Sequence, residues 1–373
     1  MEAGRDLDVV AFYLPQFHPV PENDEWWGRG FTEWRNVARA RPLFPGHHQP
    51  HLPGELGFYD LRVPEVREHQ AELAREHGVT AFCYYHYWFG GRRLLERPFA
   101  EVLASGRPDL PFLLCWANEN WTRVWDGGSR DVLMPQAYSP EDDLAHLRWL
   151  AEAFADPRYV RVDGRPVFLV YRASDLPDPR RTTDAWRAEA ARLGVGELYL
   201  CRVEGFASER ANDPRDWGFD AGVAFVPDYK TLGRPLRRSV FWRGMRTLGM
   251  TAKGYRQNVF DYDTVVAEML ARPEPAYPRL PCVTVAWDNS ARRKEHAVIY
   301  RDATPEAYER WLRESLHRLR SRTDVPHLMF VNAWNEWAEG SHLEPDERWG
   351  RAYLEATRRA VDAARGQPSV PSP

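Results

Sequence analysis

Eight short segments of almost continuous apolar residues recur along this chain, each followed by a polar loop and a helical pattern. Continuous rather than alternating hydrophobicity is typical of strands buried on both faces, as in a parallel sheet covered by helices. The predicted strands are Asp8–Leu14, Val79–Tyr85, Pro111–Trp116, Pro166–Tyr171, Glu197–Arg202, Ala221–Val226, Pro281–Trp287 and His327–Ala333. Eight β–α alternations predict an α/β fold, a (β/α)8 TIM barrel, which typically takes ~250 residues before insertions. A doubly wound open sheet is the competing architecture, but no G-x-G-x-x-G motif follows the first strand.

Helix boundaries are marked by proline, glycine and capping residues. Pro64 is expected to open a helix that Gly78 closes, and Ser139 precedes the start of a second one. A third is predicted from Thr182–Leu193, and a fourth begins at Thr304 with one apolar stripe.

The whole length fits one catalytic barrel, residues 1–364, with a disordered tail at 365–373. Two insertions account for the extra length: an extended, aromatic first loop at 15–60 and a basic segment at 229–260 after strand six. The basic segment contains eight Lys and Arg residues and no acidic residue. We expect a solvated loop or lid, and contact with an anionic or lipid-linked glycan is the alternative.

Composition narrows the class of partner and the compartment. The net charge of −4 gives no reason to expect nucleic acid, and no apolar run approaches the roughly 20 residues of a membrane span. The acidic, polar N-terminus lacks the features of a secretory signal, so we expect a cytoplasmic location. Cys83, Cys115, Cys201 and Cys282 each lie in a different predicted strand, which indicates buried thiols rather than a metal cluster.

Two carboxylates follow the last predicted strand, within the segment Asn332–Gly340. Cleavage of a glycosidic bond requires one carboxyl group to protonate the departing oxygen and a second to act at the anomeric carbon. Glu336 and Glu339, flanked by Trp and Asn, are therefore the candidate catalytic pair. An isolated E-x-x-E is more often a solvated pair on a helix, so the residues around it decide the interpretation.

Polar and aromatic side chains collect just after the predicted strands, where a parallel barrel places its active site. Trp and Tyr rings offer flat faces to a pyranose, and amides bind hydroxyl groups. We expect sugar-stacking walls chiefly from Tyr87, Trp88, Trp116 and Trp121. The full set of predicted substrate-binding residues, with Trp34 from the first loop, is Tyr13, Gln16, His18, Trp34, His86, Tyr87, Trp88, Trp116, Asn118, Glu119, Asn120, Trp121, Trp287, Asp288, Asn332, Trp334 and Asn335.

Two motifs invite a metal interpretation. Asp261-Tyr262-Asp263 resembles the D-x-D of nucleotide-sugar transferases, but Asp at a helix start is the ordinary N-cap residue, and capping is our prediction. His47, His48 and His51 lie in a Pro-rich loop, where we expect hydrogen bonds only. Carboxylate chemistry on a glycoside requires neither metal nor cofactor.

Long ordered motifs resemble those of the WbsX-type family. They are Ala11–Pro19, Asn23–Trp34, Phe82–Phe89, Cys115–Thr122, Ala286–Asn289, Asn332–Glu339 and Leu343–Pro345. Members are found in polysaccharide and O-antigen contexts and are often labelled glycosyltransferases. They are similar in fold to glycoside hydrolase family 99, the endo-α-mannosidases, whose Glu-Trp-x-Glu-Gly pattern matches Glu336–Gly340.

That resemblance implies a role for each glutamate. Glu339 would be the general acid, and Glu336 the base that deprotonates the sugar's own 2-hydroxyl to form a 1,2-anhydro sugar. It implies a retaining endo-type hydrolase acting on α-mannoside- or α-rhamnoside-like linkages of an oligo- or polysaccharide. A glycosyltransferase of O-antigen or cell-surface polysaccharide biosynthesis and a non-catalytic glycan-binding barrel remain the alternatives.

Overall fold

The computed structural model describes residues 7–122, 131–228, 235, 244, 257–293 and 295–366. Its main sheet is a parallel barrel in which all eight predicted strands occur, with ends that differ by a few residues. They are β1 (Asp8–Tyr13), β2 (Ala81–Phe89), β3 (Phe112–Trp116), β4 (Arg165–Val170), β5 (Tyr199–Val203), β6 (Ala221–Val223), β7 (Arg279–Leu280 and Cys282–Thr284) and β8 (Leu328–Asn332).

The barrel closes through β7, which Pro281 divides into two short halves. Arg279–Leu280 pairs with β6, whereas Cys282–Thr284 pairs with β8. Between these halves the ring runs through β6, β5, β4, β3, β2, β1 and β8, each pair parallel. Proline has no N–H to donate, so it interrupts the ladder on one side. The Pro281 carbonyl still accepts from Phe330 N at 2.9 Å.

Helices cover the outside of the barrel. Asp178 caps the third predicted helix, so that helix begins three residues earlier than Thr182. Ser139, Thr304 and Asp261 are N-caps too, which confirms the capping predicted for Asp261. The helices are Pro21–Trp27, Trp34–Arg39, Pro64–Glu76, Arg97–Ser105, Pro140–Phe154, Pro179–Arg192, Tyr262–Leu270, Pro305–Arg320 and Ala352–Arg365.

Further short strands and turns occur outside the eight barrel strands. The additional strands are Arg92–Leu94, Trp121–Thr122, Val132–Met134, Arg161–Val162, Asn258–Asp261, Val298–Arg301, Asn335–Glu336 and Ser341–His342. Single 3-10 turns lie at Ala173–Asp175, Pro214–Trp217, Asn289–Ala291 and Trp337–Glu339.

Aromatic rings pack in the barrel interior. Phe12 of β1 contacts the rings of Tyr85, Phe225 and Phe330 at centroid distances of 5.6, 5.3 and 5.6 Å. All four cysteines are buried free thiols, as predicted. No helix among the described residues is long and apolar enough to cross a membrane. Most of the basic insertion, 229–234, 236–243 and 245–256, lies outside the described residues, as does 367–373 of the predicted tail.

Candidate active site

A cavity of about 480 Å³ opens at the carboxyl ends of the barrel strands. Leu14, Ala117 and Tyr171, which each follow a strand directly, line its floor and sides. This is the end of a TIM barrel at which active sites lie. The predicted site residues that line it are Tyr87, Glu119, Asn120, Trp121, Trp287, Glu336 and Glu339.

The two glutamates are carried by a tight hairpin after β8. Asn335–Glu336 pairs antiparallel with Ser341–His342, and the turn between them is a single 3-10 turn. Gly340 closes this turn with φ of +61°, and a Cβ there would lie 3.0 Å from the Asp288 Cβ. Any other residue at position 340 would be strained by the left-handed backbone conformation, and its Cβ would lie too close to Asp288. Glycine is therefore required for the turn that separates the glutamates.

Asn335 anchors the hairpin to the first barrel strand. Its Oδ1 accepts from Leu14 N at 2.7 Å, and its Nδ2 donates to Leu14 O at 3.0 Å. The side chain therefore substitutes for a strand neighbour and does not reach the cavity. It fixes the backbone of the residue that precedes Glu336.

A buried arginine holds both glutamates. The Arg292 guanidinium lies 3.2 Å from Glu336 Oε2, 2.9 Å from Glu339 Oε1 and 3.1 Å from Glu33 Oε2. Its side chain is only 3% exposed. Neither Arg292 nor Glu33 was among the residues predicted from the sequence. The available signal was position, because Arg292 follows β7 closely and Glu33 belongs to the long first loop.

Burial dominates the electrostatics of this cluster. It raises the pKa of Glu336 to about 8 and also raises the pKa of Glu339 above its ordinary value. Arg292 opposes both shifts, whereas Glu33 raises the pKa of both glutamates and the charge of Glu339 raises that of Glu336 further. The pair can therefore retain one proton near neutral pH.

Aromatic rings form one side of the cavity. Trp121 is partly exposed and contacts the rings of Tyr87 and Trp26 at 5.2 and 5.6 Å. Gln16 donates to the Tyr87 hydroxyl at 3.0 Å and lines a smaller cavity of about 50 Å³. Trp121 and Thr122 border both cavities, so the two cavities are adjacent.

Glu119 and Asn120 also line the main cavity. Glu119 Oε1 accepts from Arg172 at 3.1 Å, and Arg172 packs over the Phe206 ring at 3.9 Å. Asn120 Oδ1 accepts from Gln136 N at 2.5 Å. Arg172 and Phe206 line the cavity but were absent from the predicted set, as was Arg293.

Three predicted substrate-binding residues face away from the cavity, contrary to expectation, and two of them, Trp88 and Trp116, were predicted to stack on a sugar. Successive strand residues point to opposite faces, so Tyr87 of β2 faces the cavity whereas His86 and Trp88 face the helix Pro140–Phe154. His86 Nε2 lies 2.9 Å from His146 Nε2, and the Trp88 ring stacks on His146 at 4.8 Å. Trp116 is 1% exposed and packs against the same His146 ring at 4.6 Å.

Other predicted residues tie loops and strands together instead of lining the cavity. Tyr13 donates to Gln70, Trp34 to Tyr59 O and Asn332 to Val226 O, each at 2.7 Å. Asn118 bridges to the backbone of Arg172, at 2.8 Å in both directions. His18 and Trp334 are almost fully buried, at 1% and 0% exposure.

Asp288 faces a different cavity, behind the hairpin. Its Oδ2 lies 2.7 Å from His47 Nε2 and accepts from Gln49 Nε2 at 2.8 Å. Its backbone N–H donates to Glu339 O at 2.6 Å. Asp288 therefore supports the glutamate-bearing turn from the side opposite the main cavity.

Comparison with known proteins gives matches over most of the chain. A family model described as glycosyltransferase WbsX matches residues 9–357. Two relatives from strains of Xanthomonas campestris pv. campestris, both called uncharacterized protein WxcX, are 48% identical over 357 residues. The match covers 95% of this chain and 50% of theirs, so the chain spans about half their length.

Solved structures agree on the fold. The GH99 endo-alpha-mannosidase from Bacteroides thetaiotaomicron superposes with a TM-score of 0.58 at 15% identity, covering 97% of this chain and 98% of that one. A structure described as a glycoside hydrolase-like protein gives a TM-score of 0.57 at 15% identity, with 97% and 95% covered. These likenesses confirm the (β/α)8 barrel, and the family match over nearly the whole length shows that the chain belongs to the WbsX glycosyltransferase family.

Proposed function

We propose that this protein is a retaining endo-type glycoside hydrolase acting on α-mannoside- or α-rhamnoside-like linkages of a polysaccharide. The observation that carries the proposal is the pair Glu336 and Glu339 on one wall of the strand-end cavity, each within ionic contact of Arg292. Two such carboxyl groups supply the proton transfers that glycoside cleavage requires.

The roles implied by the family resemblance suit the positions of the two side chains. Glu339 is 20% exposed and Glu336 only 7%, so Glu339 is the one more open to a leaving oxygen. The reactive form of the pair is the one in which Glu339 holds the proton and Glu336 is ionised. In that form Glu336 would remove the 2-hydroxyl proton, and that oxygen would attack the anomeric carbon as the glycosidic oxygen departs with the proton of Glu339. Water would then open the 1,2-anhydro ring with the reverse proton transfers, giving net retention.

The shape of the cleft supports an oligosaccharide substrate. The main cavity of about 480 Å³ falls within the size range of ligand pockets. Trp121 also borders the adjacent smaller cavity, which Trp27 and Phe31 line. Sugar units on both sides of the glutamates would favour cleavage within a chain, since each unit adds stacking contact.

A glycosyltransferase is the second candidate, and the description of the family favours it. The same cavity would then hold a donor, and an acceptor hydroxyl would replace water. A non-catalytic glycan-binding barrel fits the site less well. Binding requires aromatic rings and amides, but it does not require two neighbouring carboxyl groups that share a buried guanidinium.

Incubation of the purified protein with defined α-mannan and α-rhamnan oligosaccharides, with and without nucleotide sugars, tests the proposal. We expect internal cleavage without nucleotide sugar, and a product of retained anomeric configuration by NMR. Chain extension that depends on a nucleotide sugar would establish the transferase instead. Tight binding without turnover would establish the non-catalytic barrel. Glu314→Gln, on an exposed helix face, is the matched control for each glutamate variant.

A further inference from the structure

The cavity that Asp288 lines, behind the glutamate-bearing hairpin, has a volume of about 90 Å³ and is separate from the two cavities near Trp121. The histidine and aspartate residues in its lining are His47, His48, His51, Asp288, Asp302, His342 and Asp346, and Arg301 and Arg348 line it too. Four of the twelve histidines of the chain meet here. The proposed hydrolysis uses none of these side chains, so their convergence calls for a separate explanation.

Three of them present ligand atoms to a common point. His51 Nδ1 lies 3.3 Å from His342 Nε2, and His342 Nε2 lies 3.9 Å from Asp346 Oδ2. These three atoms all lie within 4.8 Å of one another. Two ligand atoms on a tetrahedral zinc ion with ordinary bond lengths are separated by roughly 3.4 Å. The spacing therefore fits a shared cation with a small adjustment of the carboxylate.

Neighbouring groups orient these three side chains so that their ligand atoms point to one another. His342 Nδ1 lies 3.1 Å from Glu344 O, so a proton on Nδ1 leaves the Nε2 lone pair directed at His51. The His342 ring is stacked on Trp337 at 3.7 Å, which fixes its plane. Asp346 Oδ1 accepts from Trp349 N at 2.5 Å, and the other carboxylate oxygen faces His342.

A hydrogen bond between the imidazoles of His51 and His342 is the simpler interpretation of their 3.3 Å contact. It leaves the neighbouring His48 unexplained, because His48 Nδ1 is buried and has no hydrogen-bond partner within the described ranges. The His48 ring packs edge-on against His51 at 4.9 Å and lines the same cavity.

Asp288 and His47 belong to a different interaction. Asp288 Oδ2 already contacts His47 Nε2 at 2.7 Å and Gln49 Nε2 at 2.8 Å. Its Oδ1 accepts from Ser290 N at 3.0 Å, so both carboxylate oxygens already have partners and Asp288 is not among the proposed ligands. His47 is consequently a control position within the same cavity.

We propose that His51, His342 and Asp346 bind a Zn²⁺ ion, with His48 the nearest further donor. Two imidazoles and a carboxylate are a ligand set that zinc accepts at a tetrahedral site. The ion would link the first loop, which carries His51, to the second strand of the hairpin, which carries His342. Its function would be to hold the hairpin in place, and no step of glycoside cleavage passes through it.

Metal analysis and cobalt spectroscopy test this site without reference to enzymatic activity. After exhaustive chelation and dialysis, the full-length protein is titrated with Zn²⁺, and in parallel with Co²⁺, whose tetrahedral complexes absorb strongly in the visible range. We expect one ion per chain, an intense cobalt band displaced by zinc, and a higher Tm with zinc. Asp346→Asn and His51→Gln should weaken binding at least tenfold, whereas His47→Gln should not.

Each other outcome counts against the site. Absence of stoichiometric binding to the wild-type protein at micromolar zinc would overturn the proposal, whatever the variants do. Equal weakening in His47→Gln and Asp346→Asn would show that zinc binds elsewhere in the cavity. A weak cobalt band typical of octahedral coordination would exclude the proposed ligand set. Near-UV circular dichroism of each variant shows whether the fold is intact, and Asp346→Asn preserves the side-chain shape if His51→Gln does not fold.

Discussion

The Arg292 guanidinium lies 2.9 Å from Oε1 of Glu339, although the loop after β7 carries one residue and the hairpin after β8 carries the other. The same guanidinium contacts Glu336 and Glu33. Arginine presents its donors in a rigid planar fork, so it can hold several carboxylates in a fixed arrangement. The separation and the charge of the candidate catalytic pair therefore depend on a residue outside their motif.

We expect Arg292→Lys to lower kcat/KM at least tenfold, because an ammonium group cannot contact three carboxylates in the same geometry. Arg292 lowers the pKa of both glutamates, so the acidic limb of the pH–rate profile should move to higher pH in the variant. Arg292→Met should also cost about 3–5 kcal/mol of stability, since it leaves buried carboxylates without a counter-ion. An unchanged pH profile in a folded Arg292→Lys protein would show that the arginine does not set these pKa values.

A second prediction concerns stability and pH. The folded-state pKa of Glu336, about 8, exceeds its ordinary value of 4.5, so between these values the folded protein binds more protons than the unfolded chain. The stability contributed by neutral Glu336 is therefore present below about pH 4.5 and is lost as pH rises through 8. Glu336→Gln mimics the neutral form. Its Tm relative to wild type should rise between pH 5 and pH 9, and a pH-independent difference would contradict this electrostatic account.

Trp121 and Trp116 form a matched pair of tryptophans on either side of the cavity wall. Trp121 borders the cavity, so Trp121→Ala should weaken oligosaccharide binding by about tenfold with a small change in Tm. Trp116 packs against His146, and Trp116→Ala should cost about 3–5 kcal/mol of stability. Calorimetric titration and thermal melts of both variants separate the two effects. Weaker binding in Trp116→Ala and lower stability in Trp121→Ala would show that Trp116, and not Trp121, contacts the sugar.

The division of labour between the glutamates can be tested with an activated substrate. The fluoride ion of a glycosyl fluoride departs with little protonation. Glu339→Gln should therefore lose activity on natural glycans yet keep much of its activity on the fluoride. Glu336→Gln should lose activity on both substrates, because no base remains to activate the 2-hydroxyl. We expect a loss larger than the roughly 10²–10⁴-fold typical of one acid–base group. A 2-deoxy substrate should be inert to the wild-type enzyme. Equal fluoride hydrolysis by both variants would reject these roles without rejecting the site.

The sequence alone determined the barrel and the position of its site. Continuous apolar segments predict doubly buried strands in any context, and all eight occur. Parallel strands bring their carboxyl ends to one side, so the residues after them had to include the site. The candidate pair Glu336 and Glu339 was predicted in this way, because both residues belong to the same short turn after β8.

Only the tertiary structure decided which side chains reach the cavity. A shift of one residue along β2 reverses the direction of a ring, and composition does not show whether Tyr87 or Trp88 faces inward. The contact of Arg292 with Glu33 depends on the closure of the ring, in which β8 lies between β7 and β1. Residues far apart in sequence meet there because barrel closure places the loops after β7, β8 and β1 side by side, an arrangement that no local pattern encodes.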